Sequence, residues 1–147
     1  MTVEPIAVIF FICLLILPFL FIKKEGRDTV KYAVDNEIEP RGGLIVVYGD
    51  IVNYIRSRGC KIEEVRTDKV LLKGRYETWK ITIINYGQYS FVNVSVLNRH
   101  PLLGEPYKKD WEQTTTHGDP SLLLDQIKDS IMSLDERIKL IEDTLNN

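Results

Sequence analysis

Apolar positions along this chain change period several times. Residues 6–22 have no period: seventeen residues pass without a charge, and fourteen of them are Leu, Ile, Phe or Val. Val30, Val34 and Ile38 then recur every fourth position, the spacing of a short helix. Pro40, Gly42 and Gly43 end it. Across residues 44–58, Leu44, Val47, Tyr48, Ile51 and Ile55 fall on one stripe, with Asp50, Asn53, Arg56 and Arg58 elsewhere. This predicts one amphipathic helix, closed by Gly59 in the position of a left-handed cap.

A period of two follows. Residues 61–66 and 69–73 read as short strands around the turn Thr67-Asp68. Residues 77–85 and 88–97 read as long ones, rich in β-branched and aromatic side chains, with Asn85-Tyr86-Gly87 as the hairpin turn. Trp79, Ile81 and Ile83 share one face and Lys80 and Thr82 the other. Val92, Val94 and Val96 alternate with Asn93 and Ser95 in the same way, so one face is buried and one is wet. The expectation is a four-stranded antiparallel meander. Residues 98–118 read as a long loop. Its Leu103, Tyr107 and Trp111 are too apolar for a free coil, so it packs on the sheet or on a partner.

The last pattern is the most regular. After the start signal Asp119-Pro120, the residues Leu124, Ile127, Ile131, Leu134, Ile138, Ile141 and Leu145 step by 3, 4, 3, 4, 3 and 4. This is a heptad seam on a long amphipathic helix. Two readings stand: the helix packs on its own sheet throughout, or its distal half overhangs and meets another helix. Met132 and Leu140 widen the stripe beyond a strict seam.

The unperiodic run predicts a transmembrane helix at residues 1–24, followed by a juxtamembrane linker at 25–43 and a small α+β domain at 44–147. Ile6, Phe10, Leu14, Pro18 and Ile22 mark the anchor, and Lys23 and Lys24 close it. Residues 6–22 would span roughly 25 Å as a helix, near the short end of what a bilayer needs. Pro18 falls in the last turns, where membrane helices accept a kink. An export signal is disfavoured, because no Lys or Arg precedes the run and no small-residue cleavage site follows it. Lys23, Lys24, Arg27 and Lys31 follow the span, so the N-terminus is expected outside and the domain in the cytoplasm.

Charge and chemistry change this picture little. The net charge of −2 argues against a nucleic-acid partner. Residues 119–147 hold seven acids and three bases, whereas 23–118 hold sixteen bases and thirteen acids. The body is therefore mildly basic, which suits an anionic leaflet. Cys13 lies in the apolar run, leaving Cys60 without a disulfide partner in the domain. Asn93-Val94-Ser95 matches a glycosylation acceptor but falls within a strand. His100 and His117 both sit in the long loop, with no motif around them to suggest catalysis.

No catalytic, metal, cofactor or small-molecule site is expected. The expectation is a non-enzymatic, single-pass interaction module, an accessory subunit or assembly factor whose partners are the lipid bilayer and another protein. The alternative is a small membrane-active effector that perturbs the bilayer or blocks a membrane machine.

Overall fold

Alternation in the middle of the chain produces the sheet. In the computed structural model, which describes residues 30–147 together with Ile9 and Ile12, five antiparallel strands lie in chain order. They are β1 (Lys61–Val65), β2 (Lys69–Lys73), β3 (Glu77–Tyr86), β4 (Tyr89–Asn98) and β5 (Tyr107–Thr114). The register carries one buried row through Val70, Ile81, Val94 and Trp111, and another through Leu72, Trp79 and Val96. Side chains directly opposite in a ladder share a face, so these rows make one apolar surface. The other face carries Lys80, Asn93, Ser95, Asp110 and Glu112, among half-buried Leu71, Ile84, Phe91 and Leu97.

The fifth strand corrects the four-stranded expectation. Residues 98–118 are not one loop, because β5 pairs with β4 along its whole length, from Phe91↔Thr114 to Asn98↔Tyr107. Its alternation was hidden by charge. Lys109 takes an inward position, where its ammonium lies 5.7 Å from the centre of the Trp111 ring and 3.0 Å from Ser130 Oγ. A lysine can hold such a site because its methylene stem covers apolar surface while its head reaches a polar partner. Trp111 itself stacks on Trp79, rings nearly parallel with centroids 6.1 Å apart.

Helices cover the apolar face. Residues 30–33 are helical and continue into a π-helical turn, Val34–Ile38, and a 3₁₀ turn, Glu39–Arg41. Ala33, Val34 and Ile38 are buried in the core, so this segment belongs with the packed domain as much as residues 44–147 do. The helix expected over 44–58 is broken into α1 (Leu44–Val47) and α2 (Gly49–Ser57). Tyr48 leaves helical geometry between them and is buried. Gly49 follows it, and a glycine weakens a helix where the chain must bend. Gly59 ends α2 in the left-handed conformation, as expected. The long α3 (Pro120–Asn146) starts at Asp119, whose carboxylate accepts from the Ser121 amide at 3.0 Å. The Ser121 hydroxyl donates to the same oxygen at 2.8 Å, and the hydroxyl first and the amide second favour the charged form and hold the Asp119 carboxyl below its usual range.

The expected anchor residues Ile6, Phe10, Leu14, Pro18, Ile22, Lys23 and Lys24 lie outside the described residues. Ile9 and Ile12 are helical and exposed. Among the described residues no helix is long and apolar enough to cross a membrane.

Candidate functional site

Two regions bring together what the sequence singled out. The first is α3. Of the seven seam residues, Ile127, Ile131, Leu134 and Ile138 are buried in the core of their own domain, and Leu124 packs against it half-buried. Leu123, one position off the seam, is buried as well. The proximal seam therefore has its partner already, the core that α2 and the sheet of its own domain build. Beyond Ile138 the cover thins and then ends. Ile141 is half-buried, Leu145 is 69 % exposed and neighbouring Leu140 is 68 % exposed. Leu103 and Trp111 are buried and Tyr107 is half-buried against the same core, so the segment 98–118 packs intramolecularly.

The second region lies where β3 begins, β4 ends and α2 stops, in a cleft of about 460 Å³. Its centre is the Glu77 carboxylate. Arg58 Nε donates to both Glu77 oxygens at 3.2 Å, and Nη2 makes a further contact to Oε1. Trp79 Nε1 donates to Oε2 at 2.7 Å, Asn98 Nδ2 to Oε1 at 3.4 Å, and the Cys60 thiol approaches Oε2 at 3.7 Å. The far side of the guanidinium grips Asp135 of α3, with Nη1 to Oδ2 at 2.7 Å and Nη2 to Oδ1 at 3.1 Å. One arginine thus ties the end of α2 to the sheet and to α3. Burial pulls its ionisation down, but the hydrogen bonds and charges of Asp135 and Glu77 more than offset this, and the guanidinium holds its proton more firmly than usual.

The chemistry of this cluster is closed. Burial pushes the Cys60 thiol up to about 11, and the Glu77 charge adds to the effect, so the thiolate needed for nucleophilic or redox work is suppressed near neutrality. His100 Nδ1 accepts from the Leu102 amide at 3.1 Å, and its ring lies edge-on to Tyr76 at 4.8 Å. Its own amide donates to Asn98 Oδ1 at 2.8 Å. These contacts hold the turn after β4 in place. Gly74 is required here, since a Cβ would come within 2.9 Å of Cys60 Sγ.

The Arg58–Glu77–Asp135 cluster could not have been read from the chain. Its members are 19 and 77 residues from Arg58, on three different elements. The only local signal was Arg58 beside the helix-ending Gly59. Among the described residues, no group of three or more His, Cys, Asp or Glu side chains is placed to hold a metal ion. No family model, curated protein or solved structure matches the chain.

Proposed function

We propose that the chain is a membrane-tethered interaction module, an accessory subunit or assembly factor that performs no chemistry of its own. The observation that carries this reading is the end of α3. A helix of 27 residues buries its seam only as far as Ile138, leaves Ile141 half-buried, and then offers Leu140 and Leu145 without a covering element. Two exposed leucines beside a half-buried isoleucine at one helix end form a contact patch rather than scattered surface residues. The uncharged run at residues 6–22, with Ile9 and Ile12 helical and exposed, supplies the tether. Confinement to a membrane raises the effective concentration of this patch toward its partners. The closed Glu77 cluster and the protonated Cys60 favour a structural role over a catalytic one.

The flanking lysines support a cytoplasmic side for the domain in this reading. The first test is self-association. The detergent-solubilised chain is expected to sediment as more than one copy, and Leu140→Asp/Leu145→Asp as one, with unchanged circular dichroism. A wild-type monomer overturns pairing between copies. If crosslinking in intact membranes then finds no protein against residues 139–147, the module reading falls with it.

A further inference from the structure

The two ends of the sheet differ in chemistry, and the N-terminal segment enters the domain at one of them. Glu37 is fixed there: its carboxylate accepts from Thr115 Oγ1 at 2.5 Å, and the Thr115 amide donates to the Ser90 carbonyl at 3.1 Å. Ser90 follows Tyr89, which pairs with Tyr86 at the tip of the β3–β4 hairpin. The tip runs past β2, whose ladder with β3 stops at Thr82. Tyr86 is 57 % and Tyr89 68 % exposed, and the Tyr86 ring lies edge-on to Phe91 at 5.4 Å. Residues 85–91 contain no charged side chain, but a carboxylate lies beside them, since the Tyr86 hydroxyl donates to Glu112 Oε1 at 3.0 Å. Leu122, exposed in the first turn of α3, stands at this same end. The opposite end holds Arg75, Glu77, Asp135, Lys139 and Glu142 around the cleft described above.

From this juxtaposition we infer that the Tyr86–Tyr89 hairpin tip rests in the headgroup region of a bilayer, orienting the domain with the free end of α3 pointing away from the membrane. The inference rests on the tethered reading above. Three arguments select a lipid surface as the occupant. Tyrosine is the side chain suited to that boundary, since its ring sits among acyl carbons while its hydroxyl stays hydrated. Residues 85–91 themselves carry no charge to bury, and the Glu37 and Glu112 carboxylates beside them stay at the hydrated level of the headgroups. The tether is short as well: the eight steps from Ile22 to Val30 reach at most ~28 Å even when extended. The helical turns from Val30 toward Glu37 add only about 10 Å. The entry point therefore stays within ~38 Å of the bilayer, and the tip stands beside it.

The experiment uses the full chain in vesicles of phosphatidylcholine and phosphatidylglycerol carrying a photoactivatable group on the lipid headgroup. After an alkaline carbonate wash and illumination, tryptic peptides are compared by mass spectrometry. The peptide 81–99, which contains the tip, is expected to carry several-fold more label than 140–147, the end of α3. Tyr86→Ser/Tyr89→Ser should lower labelling of 81–99 while the chain stays with the vesicles. Equal labelling of the two peptides, or more on 140–147, in chain that survives the wash overturns the orientation and leaves the tether standing. Loss of the chain in carbonate overturns the tether and the orientation together.

Discussion

From Leu123 to Ile138, α3 buries five apolar side chains against the sheet, whereas from Lys139 to Asn146 it buries none, although Ile141 and Leu145 keep the same spacing. The two parts are alike in sequence and differ only in what lies beneath them. At 1.5 Å per residue the helix is about 40 Å long. Strands of ten residues, such as β3 and β4, extend about 33 Å, so most of the helix finds cover and its end does not. Periodicity thus chooses which face of a helix is apolar, and the extent of the opposing layer decides where that face needs a second molecule. The boundary is marked chemically by Asp135, the last polar residue of α3 held to the domain through Arg58.

The strongest way to break this comparison is to place the same charge in each part. Ile131 is fully buried, and Ile131→Asp would set a carboxylate in apolar surroundings without a partner. A loss of at least ~4 kcal/mol is expected, a large part of the roughly 5–15 kcal/mol usual for a domain, so the urea midpoint read by circular dichroism should fall steeply. Leu145→Asp should change urea stability by less than about 0.5 kcal/mol, the ordinary result for an exposed site. Similar losses in both variants would mean that the distal helix is packed within the chain, and the contact patch would disappear with the distinction.

Arg58 tests what sets the boundary. Arg58→Ala removes the partner of a Glu77 carboxylate whose side chain is only 12 % exposed, and releases Asp135. Stranding a largely buried charge costs on the order of 2–3 kcal/mol here, below the full figure because Asp135 is half in water. Adding Glu77→Gln neutralises the stranded group while keeping an acceptor for Trp79 Nε1, and should recover part of the loss. Hydrogen exchange gives the local readout: amides from Asp135 onward should lose protection in Arg58→Ala, while those near Ile127 should not. Uniform loss along α3 would show that the seam, not Arg58, fixes where the helix is held.

The hairpin at Gly87, the cap at Gly59, the helix start at Asp119 and the inward rows of β3 and β4 were all legible in the sequence, because each depends on residues within a few positions of one another. The strand β5 was not, since an inward lysine and outward Asp110 and Glu112 mask a period that its backbone nonetheless follows. Tyr48 broke a stripe that looked continuous, because turning the ring into the core outweighs keeping one helix straight. The seam of α3 was visible in full, but the heptad spacing does not state whether a sheet or another helix lies opposite. The Glu77 cluster, built from the end of α2, β3 and α3, left no local trace beyond Arg58 beside Gly59.

The smallest effect probes the closed floor beneath that boundary. Cys60 has its thiol raised to about 11 from an ordinary value of 9, through burial first and the Glu77 charge second. In the unfolded chain the thiol ionises at the lower pH, so between about 9 and 11 the unfolded state gives up a proton that the folded state keeps. Ionisation then favours unfolding: the stability contributed by the protonated thiol is intact below pH 9 and is lost as pH climbs through 11. Tyr48, pushed up to about 12 by burial, acts in the same direction at somewhat higher pH, so the thiol must be isolated by difference. Urea midpoints of wild type and Cys60→Ser, measured from pH 8 to 11, should converge as pH rises, because only the wild type carries the thiol penalty. Curves that stay parallel across that window would mean that Cys60 ionises as freely in the folded chain as in the unfolded one. The cluster joining α2, the sheet and Asp135 would then be open to water, and the boundary on α3 would have to be set by apolar packing at Ile138 alone.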